Sequence, residues 1–254
     1  MEGLFTEAAL REAQAKYRPN TVRTSAAKLQ AVLSWATKRG IIARSPAAGI
    51  EKPPRQDSLE HLMPEEARRL LAELETRSRW PRRGLVWRVR SVAATLALRL
   101  GLRRGEIFGL RWQDIDLTRQ RLTVARSYRS LPKSNKPRHL PLPADLAASL
   151  QAWREQCPST PEGLVCPVYY GGTWHMSTAR AHHGLEAALR AAGCQPLTRG
   201  WHALRHTMAS HYMMQGGNIL ALSKILGHTD VKQTMVYAHL APDYLGKELE
   251  RVRY

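Results

Sequence analysis

Long apolar runs are missing from this chain of 254 residues. No stretch approaches the roughly 18 consecutive apolar residues that cross a bilayer, so no membrane-spanning helix is expected. The opening Met1-Glu2-Gly3-Leu4 lacks a basic region followed by an apolar stretch, and no signal peptide is expected. Cysteine is scarce: Cys157, Cys166 and Cys194 are odd in number and far apart. They point to a reducing cytoplasm and to neither a disulfide framework nor a zinc ribbon. Signatures of several chemistries are missing too. Gly101-Leu102-Arg103-Arg104-Gly105 lacks the Lys-Ser/Thr that ends a Walker phosphate loop. No carboxylates have the spacing of a two-metal nuclease, and Asp114 and Asp116 read as structural or turn residues. His202 and His206 share a helix face, but Ala203 stands where a zincin needs glutamate, so no metal is expected.

Acidic residues are in deficit, 21 against 39 Lys and Arg, which leaves a net charge of +18 and a pI near 10.5. The excess is localised. Arg77 to His139 holds 17 basic and 3 acidic residues, a net of +14. The remainder holds 22 and 18. One-sign charge concentrated inside a folded stretch is the electrostatic footprint of a nucleic-acid binder. It is not one basic amphipathic helix, so a membrane surface fits less well.

With 43% hydrophobic residues the chain is ordinary globular material, and its length suits one large or two smaller domains. Residues 4–40 read as helical, with Val22, Ala26, Leu29, Leu33 and Ala36 at three- and four-residue steps until Gly40. A polar loop ending in Pro53-Pro54 marks a linker at 53–60. Met63-Pro64-Glu65-Glu66 opens a new helix, and Val86–Leu100 is a second, largely apolar one. Glu106–Leu110 is a short third helix. Then Trp112–Leu117, Arg121–Ser127 and Arg138–Leu142 read as strands of a small antiparallel sheet. Helices are expected again at 143–156, 178–192, 202–215, 218–226 and 231–239, with a tail helix from Tyr244 to Val252. The fold class is therefore mainly α with a small three-stranded antiparallel sheet.

The polar residues present suit phosphodiester chemistry without metal. Two arginines can clamp non-bridging oxygens through planar forks and stabilise charge gathering at phosphorus. A lysine can protonate a leaving alkoxide. A tyrosine can attack phosphorus. In that light three ordered motifs are informative. Gly101-Leu102-Arg103-Arg104-Gly105-Glu106 running to Leu110-Arg111-Trp112-Gln113-Asp114 resembles the first arginine motif of the tyrosine recombinases, the phage-integrase family. His202-Ala203-Leu204-Arg205-His206-Thr207 resembles their His-x-x-Arg motif. Leu226-Gly227-His228-Thr229, with Tyr237 nine positions after His228, resembles their nucleophile segment. Pro132–Arg138 falls where that family carries a catalytic lysine in a hairpin.

The resemblance implies roles residue by residue. Tyr237 is the nucleophile. Arg103 and Arg205 clamp the scissile phosphate. Lys133, in preference to Lys136, is the general acid toward the 5′-oxygen. His202 assists proton transfer at the tyrosine, and His228 contacts the phosphate or orients its neighbours. Glu106 braces the arginine. Tyr212, in mid-helix, and Tyr244, at the start of the tail, are the competitors of Tyr237. The resemblance further implies a site-specific DNA recombinase that works through a 3′-phosphotyrosine without cofactor, on double-stranded DNA. It implies a homotetramer on two DNA sites, an accessory DNA-bending or directionality factor, a mobile element and a cytoplasmic, DNA-associated setting. Residues 1–52 read as a partial, shortened helical core-binding segment, and 61–254 as the catalytic domain with its tail helix. Two rivals are a type IB topoisomerase-like relaxing enzyme and a DNA-binding regulator that does not cut.

Overall fold

A computed structural model describes residues 7–54, 59–128, 137–178 and 184–242. The chain divides into two compact units, Met1–Ser58 and Leu59–Tyr254. In the first, helices α1 (Glu7–Lys16) and α2 (Pro19–Lys38) are separated at Tyr17-Arg18, where Pro19 starts α2 in its first turn. A proline there loses no hydrogen bond, because the first helical N–H has no partner inside the helix. Gly40, at φ +70°, lies just beyond α2. The following loop is tied back to α2 by Arg23 to the Pro53 carbonyl (2.7 Å) and Gln30 to the Ile50 carbonyl (2.8 Å).

The second unit is built on α3 (Pro64–Ser78), α4 (Gly84–Leu100) and α8 (Trp201–Met214). Helix α4 lies between the other two. Its Ala93, Ala94 and Ala97 are fully buried, and such small side chains let two neighbouring helices approach one axis. Leu70 and Leu74 of α3 are equally buried, and each fully buried leucine contributes roughly 1.5–3 kcal/mol. After the short helix α5 (Arg104–Phe108), a 3-10 turn at Trp112–Asp114 leads into strand β1 (Ile115–Asp116). β1 pairs antiparallel with β2 (Arg121–Val124), and β2 with β3 (Arg138–Pro141), in the order β1-β2-β3. Phe108 meets Trp201 edge to face at 5.3 Å, pinning α5 to the start of α8.

Several elements differ from the sequence expectation. The first strand is only two residues long, because Asp114 turns back to accept from the Arg111 N–H and winds 112–114 into a turn. After α6 (Ala144–Gln156) comes a hairpin that the periodicity missed, β4 (Val168–Tyr170) and β5 (Thr173–His175). Gly171 and Gly172, at φ +60° and +85°, supply the left-handed pair that a two-residue hairpin loop requires. Of the helix expected at 178–192, α7 covers Leu185–Ala191, and residues 179–183 lie outside the described residues. Helix α9 (Ile219–Leu226) starts at Asn218, whose side chain accepts from the Leu220 and Ala221 N–H groups. The expected helix at 231–239 is two 3-10 turns, Val231–Gln233 and Met235–Leu240. The tail expected at 244–252 lies outside the described residues. No described helix is long and apolar enough to cross a membrane.

Candidate active site

Glycines open the way to the site. Gly101 ends α4 at φ +62°, and a Cβ there would stand 2.8 Å from Leu226 Cδ2. Only glycine takes that left-handed turn at no steric cost while another helix passes so close. The turn places Arg103 immediately before α5. Glu106, in the first turn of α5, accepts from the Arg103 backbone N–H at 2.8 Å and from Arg103 Nη1 at 3.0 Å. The helix end and the arginine are thus held by one carboxylate.

Glu106 is buried to 1% side-chain exposure, and it serves more than Arg103. Arg138 Nη1 and Nη2 donate to its two oxygens at 2.9 and 2.8 Å. Arg205 Nη1 lies 4.0 Å away. Burial is the strongest influence on Glu106 and opposes ionisation. The hydrogen bond and charge of Arg138, followed by Arg103, outweigh it and hold the carboxyl below its usual range. One carboxylate therefore faces three guanidinium groups, which leaves the cluster short of negative charge.

Arg205 is itself buried. Its Nη1 donates to the Gly101 carbonyl (2.7 Å) and its Nη2 to the Leu226 carbonyl (2.8 Å). Nη2 also lies 3.0 Å from His228 Nε2. Burial, then the charge of Arg103, lowers its pKa to about 9, so it remains a cation at neutral pH. The left-handed Gly227 that closes α9 offers its carbonyl to Arg103 Nη2 at 3.4 Å. His228 Nδ1 pairs with Thr234 Oγ1 at 2.7 Å, and the Thr234 carbonyl accepts from the Tyr237 N–H at 3.0 Å. Burial, then Arg205 and Arg103, lowers His228 to about 4, so the ring is neutral.

Tyr237 is 2% exposed. Its ring belongs to an apolar cluster with Met208, Met213, Leu222 and Leu226. Its hydroxyl lies 2.5 Å from His206 Nδ1. Burial raises the phenol to about 12, against the pull of Arg205 and Arg199. His206 is pushed down to about 3, first by burial and then by His202, Arg199, Arg205 and His228. Between two neutral groups the phenol donates to Nδ1 in the tautomer that carries the imidazole N–H on Nε2. An open cleft of about 500 Å³ adjoins this group, and Arg103, Arg104, Ser127, Arg199 and His202 are on its wall.

Five of the six residues singled out from the sequence thus fall in one region: Arg103, His202, Arg205, His228 and Tyr237. Lys133, with its competitor Lys136, lies outside the described residues, as does Tyr244. Tyr212 packs half-buried beside the apolar cluster. Sequence reasoning passed over Arg138, Arg199, Thr234 and the role of His206. The one available signal was that His206 stands a helical turn beyond His202 and next to Arg205.

The sequence model of the Phage integrase family matches residues 60–243. Over 139 residues the chain is 37% identical to the integrase of Escherichia phage 186, covering 54% of this chain and 36% of that protein. Over 229 residues it is 28% identical to tyrosine recombinase XerC of Xanthomonas campestris pv. campestris, covering 90% of this chain and 66% of that protein. The chain spans less than two thirds of the length of the first relative and just under two thirds of the second. Among solved structures, the Tn1549 transposon integrase in complex with a circular intermediate DNA superposes with a TM-score of 0.77 at 21% identity, over 97% of this chain and 83% of that one. The catalytic domain of bacteriophage HP1 integrase superposes at 0.54 with 29% identity, over 76% of this chain and 95% of that domain.

Proposed function

Since the chain belongs to the Phage integrase family of tyrosine recombinases, we propose that it cuts and rejoins double-stranded DNA at specific sites through a 3′-phosphotyrosine. One observation carries this reading. Two successive residues of α8 reach the two halves of the chemistry: Arg205 meets His228 at 3.0 Å, and His206 meets the Tyr237 hydroxyl at 2.5 Å. Clamp and nucleophile are therefore referenced to a single helical turn.

In this mechanism the scissile phosphate enters the cleft and supplies the negative charge that the arginine cluster lacks. Arg103 and Arg205 bind its non-bridging oxygens and stabilise the added charge of the transition state. Tyr237 Oη bonds to phosphorus, the bond to the 5′-oxygen breaks, and Lys133 protonates that oxygen. His228, oriented by Thr234, adds a further contact to the phosphate, and His202 faces it from the cleft wall. The phosphotyrosine conserves the energy of the broken bond, so a 5′-hydroxyl attacking it reseals a strand without cofactor. The identity with a phage integrase supports a role in integrating or excising a mobile element. A homotetramer on two DNA sites, an accessory factor, and a core-binding role for the front unit complete the proposal.

The test is a covalent trap. The chain is incubated with a pool of nicked duplexes of randomised sequence, from which the short cleaved strand diffuses away. Wild type should leave a denaturant-resistant adduct, and sequencing the joined DNA should reveal the site. Tyr237→Phe should bind DNA and form none. Undiminished adduct in that variant removes Tyr237 from the mechanism, whereas DNA binding with no adduct in wild type indicates a regulator that does not cut.

A further inference from the structure

We propose that His206 is a further catalytic residue, the base that takes the phenolic proton as Tyr237 attacks phosphorus. The proposal rests on Tyr237 being the nucleophile. It starts from the 2.5 Å contact between His206 Nδ1 and Tyr237 Oη. Both partners are buried, so water does not compete for the hydroxyl. A neutral imidazole has one lone pair and one N–H. With Nδ1 accepting from the phenol, the N–H is on Nε2. That nitrogen is buried without a hydrogen-bond partner among the described residues. An unsatisfied buried donor is costly, and a site that retains one calls for a functional reason. The His202 ring stands nearly perpendicular to His206 with centroids 4.6 Å apart, and His202 is on the cleft wall. His206 is thus one ring removed from the cleft.

The surroundings also explain how such a base stays silent without DNA. Its proton affinity is suppressed first by burial and then by its neighbours His202, Arg199, Arg205 and His228, among which the arginines are cations, while burial keeps the phenol protonated. A phosphodiester brings negative charge among those same groups, and the transition state adds more. An anion there offsets the arginines and raises the affinity of His206 for a proton. The base gains strength only when a phosphate is in place. The step balances: the Oη–P bond forms, the P–O5′ bond breaks, the phenolic proton moves to His206 Nδ1, and the 5′-oxygen receives its proton from the general acid. Resealing reverses each transfer.

The test uses the same nicked duplex pool. His206→Asn keeps an acceptor near the Nδ1 position and cannot hold the proton. It should bind DNA as wild type does and form adduct about 10²-fold more slowly, the lower end of general-base effects. Replacing Tyr237 with 2,3,5-trifluorotyrosine, whose phenol ionises near neutrality, should restore about tenfold or more of that rate in the His206→Asn background. A His206→Asn rate close to wild type overturns the proposal. So does a slow variant that the fluorinated phenol fails to rescue, because His206 then only positions the ring. Absence of adduct in wild type instead strikes the proposed function itself. A second measurement needs no variant at His206. In histidine-15N-labelled wild type, one imidazole should show an unprotonated Nδ1 whose signal moves in Tyr237→Phe, and the duplex pool should shift it toward imidazolium. An Nδ1 signal indifferent to Tyr237→Phe also overturns the proposal.

Discussion

Glu106 receives both terminal nitrogens of Arg138, at 2.9 and 2.8 Å, from a strand 32 residues further along the chain. The same carboxylate holds Arg103 and lies beneath Arg205. Removing its charge leaves three guanidinium groups clustered with no carboxylate between them. Glu106→Gln preserves the shape and removes the charge. It should destabilise the chain by about 3–5 kcal/mol, the cost of breaking a buried charge cluster. Urea unfolding measures this, and a loss below about 1 kcal/mol would mean that solvent screens the cluster as it does a surface pair.

Gly101 offers a test of the backbone. Its carbonyl accepts from Arg205, and a Cβ on its φ of +62° backbone would press on the Leu226 side chain at 2.8 Å. Gly101→Ala should cost about 1–3 kcal/mol in unfolding free energy, from left-handed strain and the displaced neighbour. Because the shift moves the Arg205 anchor, adduct formation should slow more than non-specific DNA affinity falls. Equal loss of both would show that the turn only supports the fold.

Stability should depend on pH through the site histidines. His206 and His228 are lowered to about 3 and about 4, each mainly by burial, from an ordinary value of 6.5. The folded chain keeps them neutral where the unfolded chain takes up protons. The stability they contribute is therefore complete above pH 6.5 and is lost as pH falls from there toward 4. For His206 the slope approaches about 1.4 kcal/mol per pH unit below 6.5. The urea midpoint should drop between pH 7.5 and pH 5.5, and His206→Asn should flatten that dependence. A midpoint unchanged over this range would show both rings protonated in the fold.

The leaving group separates acid from clamp. Lys133→Ala should cleave ordinary DNA poorly and recover on a 5′-bridging phosphorothiolate, which departs without a proton. Arg205→Ala should lose on the order of 10²–10³ in rate and not recover, because in the proposed mechanism its guanidinium acts on the non-bridging oxygens. Rescue of Lys136→Ala in place of Lys133→Ala transfers the acid role to Lys136.

Elements whose signals are local were legible in the chain. The Pro64-Glu65-Glu66 start placed α3, and the expected ranges Val86–Leu100 and 218–226 end where α4 and α9 end in the structure. The hairpin at Val168–His175 was not read, since its strands are three residues each and too short for a period to show. The segment around Tyr237 has helical spacing, yet it winds as 3-10 turns that carry the Tyr237 ring into the cluster of Met208 and Leu226.

By itself the sequence determined the family and the candidate residues, because Arg103, the His202–Arg205 pair and the His228–Tyr237 spacing each lie within one short segment that can be read without the fold. Only the tertiary structure decided which groups share a partner. His202 and His206 are one turn apart on the same face of α8, and periodicity points both toward the site. The packing of Met235–Leu240 brings the Tyr237 hydroxyl to His206, 31 residues away, just as it is packing that sets Arg138 on Glu106 and Gly227 against Arg103. Hydrogen bonds and proton affinities change over one or two ångströms. Separation along a chain carries no information on that scale until the chain has folded.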